Sequence, residues 1–216
     1  MKAEQFKDIL YQKEEETGIV TVTMNTPRRK NALSAYSFLE LWWAVDIFQK
    51  DEAAHAMIMT GAKDPSNPDP TREAFSSGAA FDPNATKDLP PELVDQIDPT
   101  DIAQKRLVTK LWYLDKPMIA AVNGLVIGGA FTMVLSCADL IYMSEHAWAR
   151  MPFVRLGIAP ELASTFILPR LIGMQRTKQL MYFGEDIPAA RAYELGLINE
   201  VVPHDALLPH ARVAAL

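Results

Sequence analysis

A glycine-rich segment in the middle of the chain constrains its fold and chemistry more than any other sequence feature. Residues 116–130 have the sequence KPMIAAVNGLVIGGA, in which an apolar strand runs into Asn123-Gly124 and Gly128-Gly129 then opens an apolar helix. Glycine at a helix start lets a ligand approach the bare backbone, where the first-turn N–H groups are unpaired. Such a helix end can hold a phosphate, or an oxygen that becomes negative during a reaction.

Composition excludes several classes of protein. A chain of 216 residues that is 49% hydrophobic and 22% charged suits one globular domain, and its net charge of -6 argues against nucleic acid or an anionic membrane as partner. The single cysteine, Cys137, lies in an apolar helical run, so it is predicted to be a core thiol rather than a nucleophile. Residues 1–10 mix charged with apolar side chains, and no segment is long enough to span a bilayer, so we expect a cytoplasmic protein.

Hydrophobic periodicity predicts an alternation of strands and helices, which favours an α/β fold. The predicted strands cover residues 19–24, 56–60, 118 onward, 139–144 and 198–202. The predicted helices cover 35–49 after a Ser34 cap, 102–113, the segment opened by Gly128-Gly129, a helix from Pro160-Glu161 interrupted at Pro169, 174–183 and 189–195. Residues 1–203 are expected to form one domain, and 204–216 the start of a further helical segment.

A set of motifs in a fixed order resembles the crotonase superfamily, also called the enoyl-CoA hydratase/isomerase family. The motifs are PRRKNAL at 27–33, FSSGA at 75–79, the 116–129 segment, CAD at 137–139, LG at 156–157, 168–173, and AYELGLINEVV at 192–202. The resemblance covers nearly the whole chain and is closest to the family's isomerases with a single carboxylate. It implies a ClpP/crotonase spiral of strand–strand–helix units, an acyl-CoA thioester substrate, and no cofactor besides the CoA of that substrate. It also implies a homotrimer or hexamer, and C-terminal helices that would be missing after Leu216.

The resemblance implies that the backbone N–H groups of Ala79 and Gly129 form an oxyanion hole. Two such donors would stabilise the enolate that forms when a proton leaves the α-carbon of a thioester. Without the other motifs, these glycine turns would only indicate tight turns and close helix packing. Substrate contacts are expected at Lys30, which aligns with a turn that meets the CoA phosphates, although a solvated run of charges is the alternative. Further substrate contacts are expected at Ala80, Phe81 and Asp82.

The sequence departs from the family's hydratases at both of their catalytic glutamates, which fall at Thr132 and Phe153. Neither side chain can transfer a proton as a carboxyl does, and both are instead expected to line the substrate cavity and keep water out. The predicted catalytic base is Glu161, although Pro160-Glu161 is also a favoured helix start. A double-bond shift in an enoyl-CoA needs only one base.

Other functions stay open at this point. They are hydration or other enolate chemistry with a different base (lyase, thioester hydrolase or dehalogenase-like), and acyl-CoA binding without catalysis. The histidines, His55, His146, His204 and His210, show neither a triad spacing nor a metal-ligand spacing with Cys, Asp or Glu. They are predicted to be structural or exposed, and no metal site is expected.

Overall fold

The structure is a computed structural model that describes residues 2–80, 91–95 and 106–216. Its larger sheet has the strand order β1-β2-β3-β5-β7-β10, with β1 antiparallel to β2 and the other neighbours parallel. These strands are β1 (Ile9–Lys13), β2 (Ile19–Met24), β3 (Ala56–Gly61), β5 (Met118–Val122), β7 (Leu140–Ser144) and β10 (Glu200–Val202).

A smaller sheet has the order β4-β6-β8-β9 and is built from very short strands. They are β4 (Ala74–Ser76), β6 (Leu125–Ile127), β8 (Trp148–Arg150) and β9 (Ile187–Pro188). From β3 to β8 the chain alternates between the two sheets, and helices follow the strand pairs. This winding is the crotonase-like spiral of the α/β class, so the predicted fold class is confirmed.

Helices α1 (Ala35–Lys50) and α4 (Gly129–Cys137) pack against one face of the larger sheet, and α9 (Leu207–Ala215) packs against the other. The other α-helices of the described residues are α2 (Pro91–Val94), α3 (Val108–Trp112), α5 (Phe153–Leu156), α6 (Ser164–Ile172), α7 (Met174–Phe183) and α8 (Ala189–Glu194). On β3, Met57 and Met59 face the main core with α1 and α4, whereas Ile58 faces a second cluster that includes Leu207 of α9. A strand buried on both faces explains why residues 56–59 are all apolar. Among the described residues, none of the helices combines the length and the hydrophobicity of a transmembrane span.

One predicted helix boundary is wrong. The helix expected from Pro160-Glu161 begins at Ser164, because Leu162 and Ala163 adopt left-handed backbone conformations with φ of 53° and 59°. It also continues through Pro169 to Ile172 rather than stopping there. Proline removes only one N–H donor from the helix, and the Pro169 carbonyl still accepts a hydrogen bond from the Gly173 N–H at 3.1 Å.

Candidate active site

Two glycine turns meet where β4 and β6 end. The two strands pair in parallel, with Ala74 opposite Leu125, so both chains leave the small sheet at the same edge. Gly78 has a φ of +86°, and a Cβ added to it would lie 2.6 Å from the Ile127 carbonyl oxygen and 3.9 Å from the Gly129 nitrogen. The turn after β4 is therefore in van der Waals contact with the start of α4, and a side chain at position 78 would separate them.

The N–H groups of Ala79 and Gly129 are available to a ligand at this contact. Ala79 forms a parallel bridge with Leu33, in which the Leu33 N–H donates to Gly78 and the Ala80 N–H donates to Leu33, both at 2.8 Å. Since successive peptide groups of an extended segment point to opposite sides, the Ala79 N–H points away from this bridge. Gly129 is the first residue of α4, so its N–H has no partner within the helix. Neither N–H has an acceptor among the residues that the structure describes.

Asn31 fixes the first of these turns, a role that the sequence analysis did not assign. It is fully buried with a φ of 52°, and its amide nitrogen donates to the Ala62 and Ala74 carbonyls at 3.0 and 2.7 Å. The neighbouring carbonyl of Lys30 accepts a hydrogen bond from the Ser77 N–H at 2.9 Å. The Lys-Asn pair in a basic turn was the available signal, since asparagine tolerates left-handed backbone and bonds to neighbouring peptides.

The Glu161 carboxylate lies against Gly129. A Cβ added to Gly129 would be 2.8 Å from Glu161 Oε1 and 3.4 Å from Leu162 Cδ1. Because α6 begins only at Ser164, Glu161 is not in its first turn, and the helix-start explanation of this residue does not apply. Left-handed backbone at a residue other than glycine costs about 1–2 kcal/mol, and tertiary contacts maintain it here. Leu162 is 4% exposed, and its carbonyl accepts a hydrogen bond from Ser136 Oγ at 2.6 Å.

Thr132 and Phe153, the positions at which the family's hydratases carry glutamates, follow the Gly128-Gly129 turn and a segment that contacts this turn, respectively. Thr132 is fully buried one turn into α4, with its Oγ1 3.3 Å from the carbonyl oxygens of both Gly128 and Gly129. Phe153 is 1% exposed and begins α5, three residues after Arg150, whose carbonyl accepts the Gly128 N–H at 2.8 Å. Neither supplies a carboxyl group.

Of the remaining predicted substrate contacts, the structure describes Lys30 and Ala80. Lys30 is exposed at the end of the basic turn. The Ala80 N–H is occupied by Leu33, so it is not available to a substrate. The predicted contacts at Phe81 and Asp82 lie outside the described residues.

His204 belongs to a buried polar group that no sequence pattern indicates. Its side chain is 8% exposed, with Nδ1 2.9 Å from Ser144 Oγ and Nε2 3.2 Å from Glu73 Oε1. The three residues come from distant parts of the chain, so no local spacing indicates them. Ser144 is fully buried, so this serine–histidine–glutamate arrangement is structural rather than nucleophilic. Among the described residues, no group of three His, Cys, Asp or Glu side chains could hold a metal ion.

Comparisons with known proteins agree with this architecture. Residues 14–215 match the family model described as enoyl-CoA hydratase/isomerase. The chain belongs to the enoyl-CoA hydratase/isomerase family. Crotonyl-CoA hydratase of Syntrophomonas wolfei is 33% identical to this chain, and the match covers 97% of this chain and 75% of the hydratase. Peroxisomal enoyl-CoA delta isomerase 3 of Mus musculus is 30% identical over 94% of this chain and 59% of its own length.

Solved structures show the same fold. The enoyl-CoA hydratase of Bacillus anthracis superimposes with a TM-score of 0.80 and 29% identity, covering 97% of this chain and 75% of that one. A probable enoyl-CoA hydratase/isomerase of Mycobacterium abscessus gives a TM-score of 0.80 at 27% identity, with coverage of 97% and 74%. Both hydratases and isomerases thus occur among the similar proteins, so similarity alone does not show whether this chain catalyses hydration or a double-bond shift.

Proposed function

We propose that this protein shifts the double bond of an enoyl-CoA through a thioester enolate, with Glu161 as the single catalytic base. The Ala79 and Gly129 N–H groups would hold the thioester oxygen. Glu161 would remove a proton from C2 of a 3-enoyl-CoA, and the electrons would move into a dienolate. The same carboxyl would return the proton to C4, which leaves the conjugated 2-enoyl product and the enzyme unchanged.

The observation that carries this proposal is the contact between Glu161 and the turn that presents the Gly129 N–H. A base must lie within reach of the α-carbon, which is bonded directly to the carbonyl carbon. A carboxylate against the oxyanion donor meets that requirement. Each such donor is typically worth ~100- to 1000-fold in rate.

A pocket beside the Lys30 turn is a candidate site for the other end of the substrate. It has a volume of about 450 Å³, and its lining includes three cations, two carboxylates and an aromatic ring, namely Arg28, Lys30, Arg72, Asp64, Glu73 and Trp148. Glu73 is paired with Lys63, so the three cations exceed the remaining carboxylate and could bind the phosphates of a CoA nucleotide. We therefore propose Lys30 as a contact to the CoA phosphates.

Hydration is the second candidate, since crotonyl-CoA hydratase and a short-chain-enoyl-CoA hydratase are among the similar proteins. The side chains of Thr132 and Phe153 argue against the route with two glutamates. A hydratase reaction would need Glu161 alone to activate water and to deliver the proton.

The test is an ultraviolet assay with 3-enoyl-CoA esters of several chain lengths, comparing wild type with Glu161→Gln. We expect conjugation by the wild type and a loss of about 10²- to 10⁴-fold in kcat for the variant, the usual contribution of a general base. Hydration of 2-enoyl-CoA is followed in parallel as loss of the conjugated absorbance. An inert wild type that still binds acyl-CoA would refute the isomerase proposal in favour of a binding protein.

Two further expectations belong to this proposal. A homotrimer or a hexamer and a cytoplasmic location both remain predictions. Light scattering on the purified protein tests the first, and fractionation of cells tests the second.

A further inference from the structure

Glu73 and Asn123 occupy matching positions ahead of the two oxyanion donors. Glu73 precedes Ala79 by six residues, and Asn123 precedes Gly129 by six residues. Each residue lies just before one of the paired strands, β4 or β6. Whatever fixes these two residues relative to each other therefore fixes the strands that carry the donors.

Direct contacts join the two positions. The Asn123 amide nitrogen donates to Glu73 Oε2 at 2.8 Å, and the Leu125 N–H donates to the Glu73 carbonyl at 3.0 Å. A Cβ on Gly124 would lie 2.1 Å from that same carbonyl oxygen, so the two backbones touch. Asn123 Oδ1 in turn accepts the N–H of Gly61 at 3.1 Å, which ties the pair to the end of β3.

The second carboxylate oxygen of Glu73 is also held. Glu73 Oε1 lies 3.3 Å from Lys63 Nζ and 3.2 Å from His204 Nε2, and His204 leads on to Ser144. The Glu73 side chain is only 6% exposed. A buried carboxylate with partners on both oxygens has one orientation available, because any rotation would leave a buried oxygen without a donor.

The hydrogen bond between Glu73 and Asn123 matters for the small sheet because the backbone hydrogen-bond ladder of that sheet is short and irregular. β4 has three residues, and its pairing with β6 shifts register between Ala74 and Ser76. Irregular registers are weakly specified by backbone hydrogen bonds alone. The Glu73–Asn123 hydrogen bond supplies a fixed point just ahead of this ladder, at the end opposite the donors.

We infer that Glu73, acting through Asn123, is a positioning residue that sets the spacing between the Ala79 and Gly129 N–H groups. This inference rests on the proposed function, since it gives those two donors a thioester oxygen to bind. Glu73 itself touches no reacting atom. Its loss should weaken polarisation of the bound carbonyl more than it weakens binding of the CoA ester.

The test uses 4-(dimethylamino)cinnamoyl-CoA, whose absorption moves to longer wavelength when its thioester carbonyl accepts strong hydrogen bonds. For Glu73→Met we expect the red shift to fall by at least about half, with the Kd for the probe within about threefold of wild type. In the isomerase assay kcat should fall about 10- to 100-fold, the usual effect of small misplacement at a reacting centre. Glu73→Gln keeps an acceptor for Asn123 and should restore most of the shift.

Two more variants separate positioning from general destabilisation. Asn123→Asp keeps the acceptor for Gly61 but sets a carboxylate against Glu73, so it should reproduce the loss even where Glu73→Met fails to fold. Thr177→Ala removes a buried hydroxyl of α7 that donates to the Gly173 carbonyl at 2.9 Å, outside the contacts of Glu73 and Asn123, and it should leave the red shift intact. A full red shift in both Glu73→Met and Asn123→Asp, or an equal loss in Thr177→Ala, would overturn this inference alone. A wild type that does not bind the probe would overturn the proposed function and this inference with it.

Discussion

Replacing Gly129 with alanine should lower the catalytic rate without lowering the free energy of unfolding. The added Cβ would lie 2.8 Å from Glu161 Oε1, whereas ordinary contacts begin near 3.4 Å, so the carboxylate must move by about 0.6 Å. The far end of a flexible side chain can make that movement cheaply. Alanine is also the better helix former by up to about 1 kcal/mol, so unfolding should become no easier.

The rate should respond much more strongly. A misplacement of about 1 Å costs on the order of 100-fold, so Gly129→Ala is expected to lower kcat by about 10- to 100-fold. The assay is conjugation of 3-enoyl-CoA followed in the ultraviolet, with the melting temperature measured on the same preparation. Activity within about twofold of wild type in the folded variant would refute the argument that the position of Glu161 against Gly129 governs the reaction.

Gly124→Ala is the matched control. Its added Cβ would lie 2.1 Å from the Glu73 carbonyl oxygen, an atom of the backbone that cannot turn aside. This substitution should lower the free energy of unfolding by about 3 kcal/mol. The same chemical change at two glycines of one segment is thus expected to differ in its effect on stability, with little change for Gly129→Ala and a loss of about 3 kcal/mol for Gly124→Ala.

The remaining predictions concern titratable groups. Burial raises the pKa of the partly buried Cys137 to about 12, so its thiol should react much more slowly with a disulfide reagent near pH 8 in the folded than in the unfolded chain, and equal rates would contradict this. Burial alone would raise the pKa of Asp46, but the Lys110 ammonium at 2.6 Å and Lys50 hold it below its ordinary value. The stability that Asp46 contributes should therefore be present near neutral pH and lost as pH falls below about 4, and Lys110→Met should reduce that loss in melting experiments.

The long elements could be predicted because each carries its own periodicity. Strand β2 alternates over Ile19–Met24, and α1 has a serine cap, with Ser34 accepting the Ser37 N–H at 3.1 Å. The strands of the small sheet were not predicted, since two or three residues show no period. Their extended conformation comes from pairing with one another, which is a property of the assembled fold.

Some parts of the candidate site could also be predicted from the sequence, and other parts could not. Ala79, Gly129 and Glu161 were predicted from short motifs that resemble those of the family, and the structure places the Gly78–Ala79 turn and Glu161 against Gly129. The link between Glu73 and His204 spans 131 positions, and no local signal predicts a contact at that separation. The left-handed Leu162 opposes the preference of leucine, so the sequence placed the start of α6 too early. Contacts from α4 outweigh local propensity there.

The oxygen-binding half of the candidate site consists of peptide groups, and this has a genetic consequence. Every residue except proline carries an N–H, so replacing the Glu161 side chain would remove the proposed base and leave both N–H donors in place. A copy of this protein that has lost Glu161 would still capture acyl-CoA without releasing a product. Such an allele would compete with an active copy for substrate, and its harm would grow with its abundance rather than equal that of a deleted gene.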